Sequence, residues 1–427
     1  MNRIKRILFL MFAGILLLLS AVSCSTKELI VLSSADTKEH DTQHMTFMKI
    51  YDNRLYCVLN FKGTLSMDLD GSNQTMIDSA TYRFIVTEQY FYYIEENNYS
   101  ISEDIATIHR LSIDTGEKKS IAYKTQPNTV YDRYNTPVNS DCMLYWMDET
   151  LYFVERRGAF AVADYFALYG ATIYRIDDSF EELEHVYTLD EYLPLLEEER
   201  KDIFNDEGTA PCSFSFLHNG YLYYTTFRDY SWATPNLAAQ YRMPIDNPVF
   251  PGELVYDERE MNLIISNTQF RDNLWYGYTV EDTDRYWLYP KDLVWIDSSD
   301  YSIVKRYEKK EHERMYMFSD GYFIYKEEIV QDAQQDAQEQ PEYRTRVLLF
   351  THDDELIKDF GYEPEGTGMR LIHQGGIYYT ISCPKEKDGE TQWYEQVRYY
   401  DMNTNQDKLL YEYNHTEAVE EYRNRKK

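Results

Sequence analysis

Basic residues are in short supply. Lysine and arginine number 43 against 73 aspartates and glutamates, a formal charge of -30. That balance excludes nucleic acid as a partner, because no basic surface offsets phosphate repulsion. Cysteine is scarce too, 5 in 427 residues, and no two lie at CxxC spacing for a metal or redox pair. The common catalytic signatures are missing: no GxSxG elbow, no HExxH helix, no GxxxxGK loop. Sites assembled from scattered loops leave no such trace, so these absences assign no catalytic residue and no cofactor without ruling out an enzyme. Long apolar runs are absent except for Ile7 to Leu19, about a dozen residues and too short for an ordinary membrane span.

That run has a context. Arg3, Lys5 and Arg6 precede it, and Ala21-Val22-Ser23 lead into Cys24. A basic start, a short apolar core and small residues before a cleavage point mark a secretory signal. With cysteine next in line, the junction resembles the lipobox of bacterial lipoproteins. The resemblance implies cleavage before Cys24, which becomes a lipid-bearing (palmitoylated) N-terminus on the extracytoplasmic face of a bacterial cell membrane. A plain signal peptide and an uncleaved anchor are the alternatives. On this reading residues 1–23 are signal and 24–44 a polar tether, in which Leu29 to Leu32 are placed to add a strand to the last sheet. Losing Arg3, Lys5 and Arg6, with no acid in the removed piece, takes the charge from -30 to -33. Cys57, Cys142, Cys212 and Cys383 remain. Buried free thiols are expected, with a disulfide the alternative outside the cytoplasm.

What the chain has in abundance is tyrosine, 42 residues, much of it in a repeated phrase. Phe214-Ser-Phe-Leu-His-Asn-Gly-Tyr-Leu-Tyr-Tyr-Thr225 sets two aromatic and apolar runs around Asn219-Gly220, whose tolerance of positive φ suits a β-hairpin. The phrase returns from Met315 to Tyr325 and from Leu371 to Tyr379, and weaker forms bring the count to seven units between residues 45 and 412. Each unit continues with a phrase of the Ile-Tyr-Arg-x-Asp type, as at Ile108-His-Arg110, Ile173-Tyr-Arg-Ile-Asp177, Tyr241-Arg242 and Val397-Arg-Tyr-Tyr-Asp401. One hairpin cannot bury its apolar face alone, so the repeat demands a stacked or closed array. Four short strands at a spacing of about 50 residues predict an all-β fold, a single β-propeller of seven four-stranded blades. A short helix is expected near Asp190 to Phe204, where Leu193, Leu196 and Ile203 lie near one helical face. Gln331 to Gln340 reads as a solvated loop, and residues 413–427 as a charged tail, frayed or loosely helical.

The Ile-Tyr-Arg-x-Asp phrase, with the Asp-Gly-Ser-Asn turn at Asp70 to Asn73, resembles the YWTD-type propeller of the LDL-receptor family. It is similar above all to bacterial lipoproteins of unknown function that carry such repeats. The tetrapeptide Tyr-Trp-Thr-Asp itself is absent. The resemblance implies a fold and no particular activity.

Asp68-Leu-Asp-Gly-Ser-Asn73 has the oxygens of a calcium loop, but the position recurs as Asp114-Thr-Gly116, Asp177-Asp178 and Asp401-Met-Asn403, which points to turn chemistry and not to a metal. His218 and His373, each just before a hairpin turn, read as ordinary surface or turn histidines, with a metal pair bridging different blades as the alternative. The connections between second and third strands are long, and several pair arginine with aromatics: Arg156 and Arg157; Arg228, Tyr230 and Trp232; Arg285, Tyr286 and Trp287. Those residue types dominate binding hot spots, so this face is the expected ligand site, with packing among the loops as the alternative. The expectation is a monomeric, lipid-anchored binding or scaffolding module for an envelope protein, peptide or glycan. An enzyme acting on extracellular glycan or peptide is the alternative.

Overall fold

The computed structural model describes residues 43–78, 83–96, 105–125, 141–159, 168–189, 192–194, 209–231, 234–257, 263–271, 274–281, 289–297, 299–310, 312–318, 321–331, 342–351, 353–362, 367–387 and 389–425. The strands form seven separate antiparallel sheets, and the main strands of each follow chain order. These are blades 1 to 7, spanning residues 48–78, 84–124, 141–189, 209–257, 263–308, 313–362 and 367–414. Blades 3 and 4 each gain a fifth strand from outside their own run.

Side chains alternate across a strand, so each sheet has two apolar faces to bury. In blade 1, Tyr56 and Val58 pack with Phe84 and Phe91 of blade 2. The intervening Leu55, Cys57 and Leu59 pack with Tyr378, Val397 and Leu410 of blade 7. Ile94 and Ile108 of blade 2 meet Leu144 and Phe153 of blade 3. Val154 and Ile173 share a cluster with Phe216 of blade 4 and, through it, Trp275 and Val294 of blade 5. Leu293 and Trp295 turn to Tyr322 and Ile324 of blade 6, and Val347 and Leu349 to Ile377 and Tyr379 of blade 7. Every blade thus packs on the next and the last on the first. The molecule is a closed seven-bladed β-propeller, as the repeats predict. No strand is exchanged between the first and last blades among the described residues. Side chains close the ring there: Asn60 Nδ2 donates to Glu395 Oε1 (2.9 Å), Lys408 Nζ to the Asp70 carbonyl (2.6 Å), and Tyr413 Oη to the Asn60 carbonyl (3.0 Å).

The turns explain the repeated phrases. Asp52-Asn53, Asp148-Glu149, Asn219-Gly220 and Gln374-Gly375 all carry positive φ at both residues, the geometry of two-residue hairpins that match strand twist. The aspartate of the second phrase ties its own turn. Asp177 Oδ1 accepts from the amides of Glu181 (2.8 Å) and Glu182 (2.7 Å), and Asp401 Oδ1 from Asn403 N (2.8 Å). The arginine reaches the next blade. Arg110 Nη1 donates to the Asp178 carbonyl (2.8 Å), and Arg175 Nη2 to Asp246 Oδ1 (2.7 Å). Ile-Tyr-Arg-x-Asp is therefore a device for holding turns and neighbouring blades.

Two expectations change. The stretch near 190–204 is not the predicted short helix where it is described: Tyr192–Pro194 is a strand paired with Thr209, Ala210 and Pro211. An open sheet edge offers Leu193 and its neighbours a ladder that outweighs weak helical periodicity. Where they are described, the connections between second and third strands are partly continued ladder instead of irregular loop; residues 97–104, 160–167, 282–288 and 332–341, most of the expected solvated loop at Gln331 to Gln340 among them, lie outside the described residues. Thr150–Ala159 pairs with Leu168–Ile176 as far as Ala159↔Leu168, Tyr221–Ser231 with Thr234–Pro244 as far as Ser231↔Thr234, and Gly376–Lys387 with Glu390–Asp401 as far as Lys387↔Glu390. Their length comes from ribbons that run on past the blade body. The charged tail forms a helix, His415–Arg425, with Tyr422 and His415 each 5.5 Å from the Phe61 ring of blade 1.

Candidate functional site

Antiparallel order puts the two-residue turns of every blade on one face and the ribbons, with the blade-to-blade connections, on the other. First strands of neighbouring blades approach one another at the boundaries of blades 7 and 1, 2 and 3, 3 and 4, and 5 and 6, which sets them around the axis. Gln43–His44 adds to the open edge of one of them, Asp141–Met147 of blade 3, in the register Gln43↔Trp146 and His44↔Tyr145. Thr46 then bridges to Phe84 at the start of blade 2, with both amide bonds made (2.8 and 2.9 Å). The chain therefore climbs the axis from the tight-turn face toward the ribbon face, then reverses into Met48–Tyr51. Tyr192–Pro194 likewise adds to the first strand of blade 4, but at its opposite, ribbon-face end, against Thr209, Ala210 and Pro211. Gln43, the first described residue, lies at the tight-turn end of the blade 3 strand, opposite Trp146.

On that face a cavity of about 410 Å³ opens between blades 2 and 3 beside Gln43. Tyr92 and Trp146 form its interblade wall, with ring centroids 5.7 Å apart and planes at 24°. Tyr92 is buried, which raises its phenol pKa, and Trp146 is half-buried. Arg110 is clamped between rings, its guanidinium carbon 4.6 Å from the Tyr90 centroid and 4.9 Å from that of Phe180. Around these sit Glu88, Glu149, Asp177 and Asp178. Asp177 is held at about 2 by the hydroxyl of Ser179 and the backbone amides of its turn, so it stays anionic. Glu149 is exposed at φ 59°, a left-handed turn position where glycine or asparagine fits at less cost. Against four carboxylates the lining has one basic residue, Arg110. Chemically the cavity offers ring faces, an anionic rim and mixed polar and apolar walls.

Buried carboxylates elsewhere tie blades together. Glu155 accepts from Tyr123 Oη (2.7 Å) across the boundary between blades 2 and 3. Glu395 accepts from Asn60 and Tyr413 and lies 3.3 Å from His415 Nδ1. His218 and His373 are buried rather than surface turn residues. Burial lowers His218 to about 4, and its ring meets Trp275 edge-on at 5.7 Å. None of Cys57, Cys142, Cys212 and Cys383 is in a disulfide; the first three are buried and Cys383 is half-buried. The described residues hold no group of three or more potential metal ligands.

The ribbon-face candidates are brought together only in part. Arg156, half-buried, and Arg157 lie on the blade 3 ribbon. Arg228 and Tyr230 share the blade 4 ribbon next to it. Trp232, Arg285, Tyr286, Trp287 and the lipidation candidate Cys24 lie outside the described residues. Missed by sequence reasoning were Trp146, Glu149 and Asp178. A signal existed: in units two and three the turns carry Glu88, Glu149 and Asp177-Asp178 where Asn-Gly would serve the backbone equally well.

No family model and no curated protein matches the sequence. Among solved structures, the chain is similar to the periplasmic gluconolactonase of Pseudomonas aeruginosa (8% identity, 87% of this chain and 95% of that one, TM-score 0.37). It is also similar to the WD40 domain of SCAP from fission yeast (8%, 88% of each chain, TM-score 0.37). A third is the β-propeller domain of the Trilobed protease from Pyrococcus furiosus (10%, 77% and 96%, TM-score 0.29). The propeller is read from this chain's own sheet order, to which these distant likenesses add no functional argument.

Proposed function

We propose that this β-propeller is a lipid-anchored, extracytoplasmic binding module of the YWTD-like lipoprotein kind, and that it captures an envelope protein, peptide or glycan. The observation that carries the reading is the cavity between blades 2 and 3, where stacked Tyr92 and Trp146 and exposed Glu149 and Asp178 surround a recess of about 410 Å³. Recesses with aromatic walls and a few convergent polar groups are where propellers and other scaffolds hold ligands. Cys24 is the lipid site in this proposal. The tether from Cys24 to Gln43 cannot exceed about 65 Å even if fully extended. It would meet the ring on the cavity face, leaving the ribbons with Arg156, Arg157, Arg228 and Tyr230 directed away from the membrane.

Two measurements test it. Cys24→Ser should leave the protein unprocessed or release it from the membrane fraction; normal processing and retention would end the anchor reading. Trp146→Ala and Arg228→Ala, each in the full-length protein, would be compared for partners retained from envelope extract and for melting temperature. Loss of a specific partner in Trp146→Ala at unchanged melting temperature supports the cavity. Loss in Arg228→Ala alone moves the site to the ribbons. Loss of stability with unchanged partners in both defeats the binding reading.

A further inference from the structure

We infer that the cavity between blades 2 and 3 takes a cation: the lysine or arginine side chain of a basic peptide segment. The inference rests on the binding reading above and gives it a ligand class. Three features of the cavity point the same way. Its ionisable lining is lopsided, with Glu88, Glu149, Asp177 and Asp178 against Arg110 alone. Its wall is a stacked pair of rings, Tyr92 on Trp146, and an aromatic face attracts a cation through its quadrupole. And the site already holds one guanidinium in this manner: Arg110 lies between Tyr90 and Phe180 and donates to the Asp178 carbonyl. Beside it, a second cation would meet half-buried Trp146 and the exposed carboxylates of Glu88, Glu149 and Asp178. The body adds long-range steering, since a formal charge of -30 draws basic segments in and repels anionic ones. A neutral glycan gains nothing from that field, and an anionic ligand meets a negative rim.

The probe is a tri-lysine peptide with acetylated N-terminus and amidated C-terminus, titrated by calorimetry into the detergent-solubilised full-length protein at low and moderate salt. Its partner is the same peptide acetylated at every Nε, which keeps the shape and removes the charge. Glu149→Gln and Asp178→Asn are the test variants, because both residues are exposed and the amides conserve shape. The expected result is saturable binding of the charged peptide, weaker as salt rises, with no binding of the acetylated one. Binding should weaken about tenfold in the double variant at unchanged melting temperature. Equal binding of both peptides, no binding at millimolar concentration, or full binding by the double variant would overturn the inference. The two readings fail differently. If tri-lysine does not bind but Trp146→Ala still loses its envelope partner, the cation falls and the binding site stands. If neither changes, both fall.

Discussion

At the scale of single residues, the sharpest consequence concerns His218. Its ring is buried against Trp275, and burial holds it at about 4 instead of the ordinary value near 6.5. The unfolded chain therefore takes up a proton that the folded one refuses. The histidine's contribution is fully present above about pH 6.5 and is lost as pH falls toward 4, a change of roughly 3 kcal/mol for this one group. His218→Phe keeps a ring without the titration. Urea unfolding at pH 7 and at pH 4.5 should show the variant losing less stability over that interval than the parent. An equal loss in both would mean that the ring reaches water. The same scale shows what sequence could and could not reveal. Asn219-Gly220 announces its hairpin because few residues accept two positive φ angles in a row. His218, one position earlier, reads from sequence as a turn residue, and only the neighbouring blade buries it.

The elements add a dependence that no repeat unit contains. Thr46 exchanges both amide bonds with Phe84, and Gln43–His44 covers the open edge of blade 3. These bonds satisfy backbone groups on first strands that face the axis. Thr46→Pro removes one donor and imposes its own φ, so it should cost about 2 kcal/mol in denaturant unfolding. An unchanged midpoint would show that the threaded segment rests on the ring without supporting it. The tight turns and the strands around them were legible because period-two alternation and left-handed turn residues are local properties. The ribbons were not legible as ribbons. Arg156, Arg228 and Tyr230 stand in stretches whose composition suits a loop as well as a two-stranded ladder, and pairing partners such as Gly170 opposite Arg157 are fixed only when the hairpin forms.

Over the whole molecule, the described residues close the ring between blades 1 and 7 through side chains, with no strand exchanged among them; Leu29 to Leu32, expected to add a strand to the last sheet, lie outside the described residues. Leu55 is fully buried in that seam with Tyr378, Val397 and Leu410. Leu55→Ala should cost about 3 kcal/mol, in the usual range for a buried leucine truncation. If the ring is one cooperative unit, unfolding followed by near-ultraviolet dichroism and by tryptophan emission should remain a single coincident transition. Two separated transitions would show that the seam opens before the other blades unfold, and the ring would then be a weakly closed array.

The sequence by itself determined the blade count, the turn chemistry and the apolar faces. Each of these is written in residues within about ten positions of one another and repeated seven times. The three-dimensional ring decided where a ligand fits. Trp146 and Tyr92 are 54 positions apart and belong to neighbouring blades, and Glu149 and Asp178, from two separate turns of blade 3, line the same recess as Glu88 of blade 2 because packing of the two blades brings those turns together. The path of residues 43–46 belongs to the same class: an open strand edge is available to any segment that reaches it, and only closure of the ring places that edge beside the incoming chain.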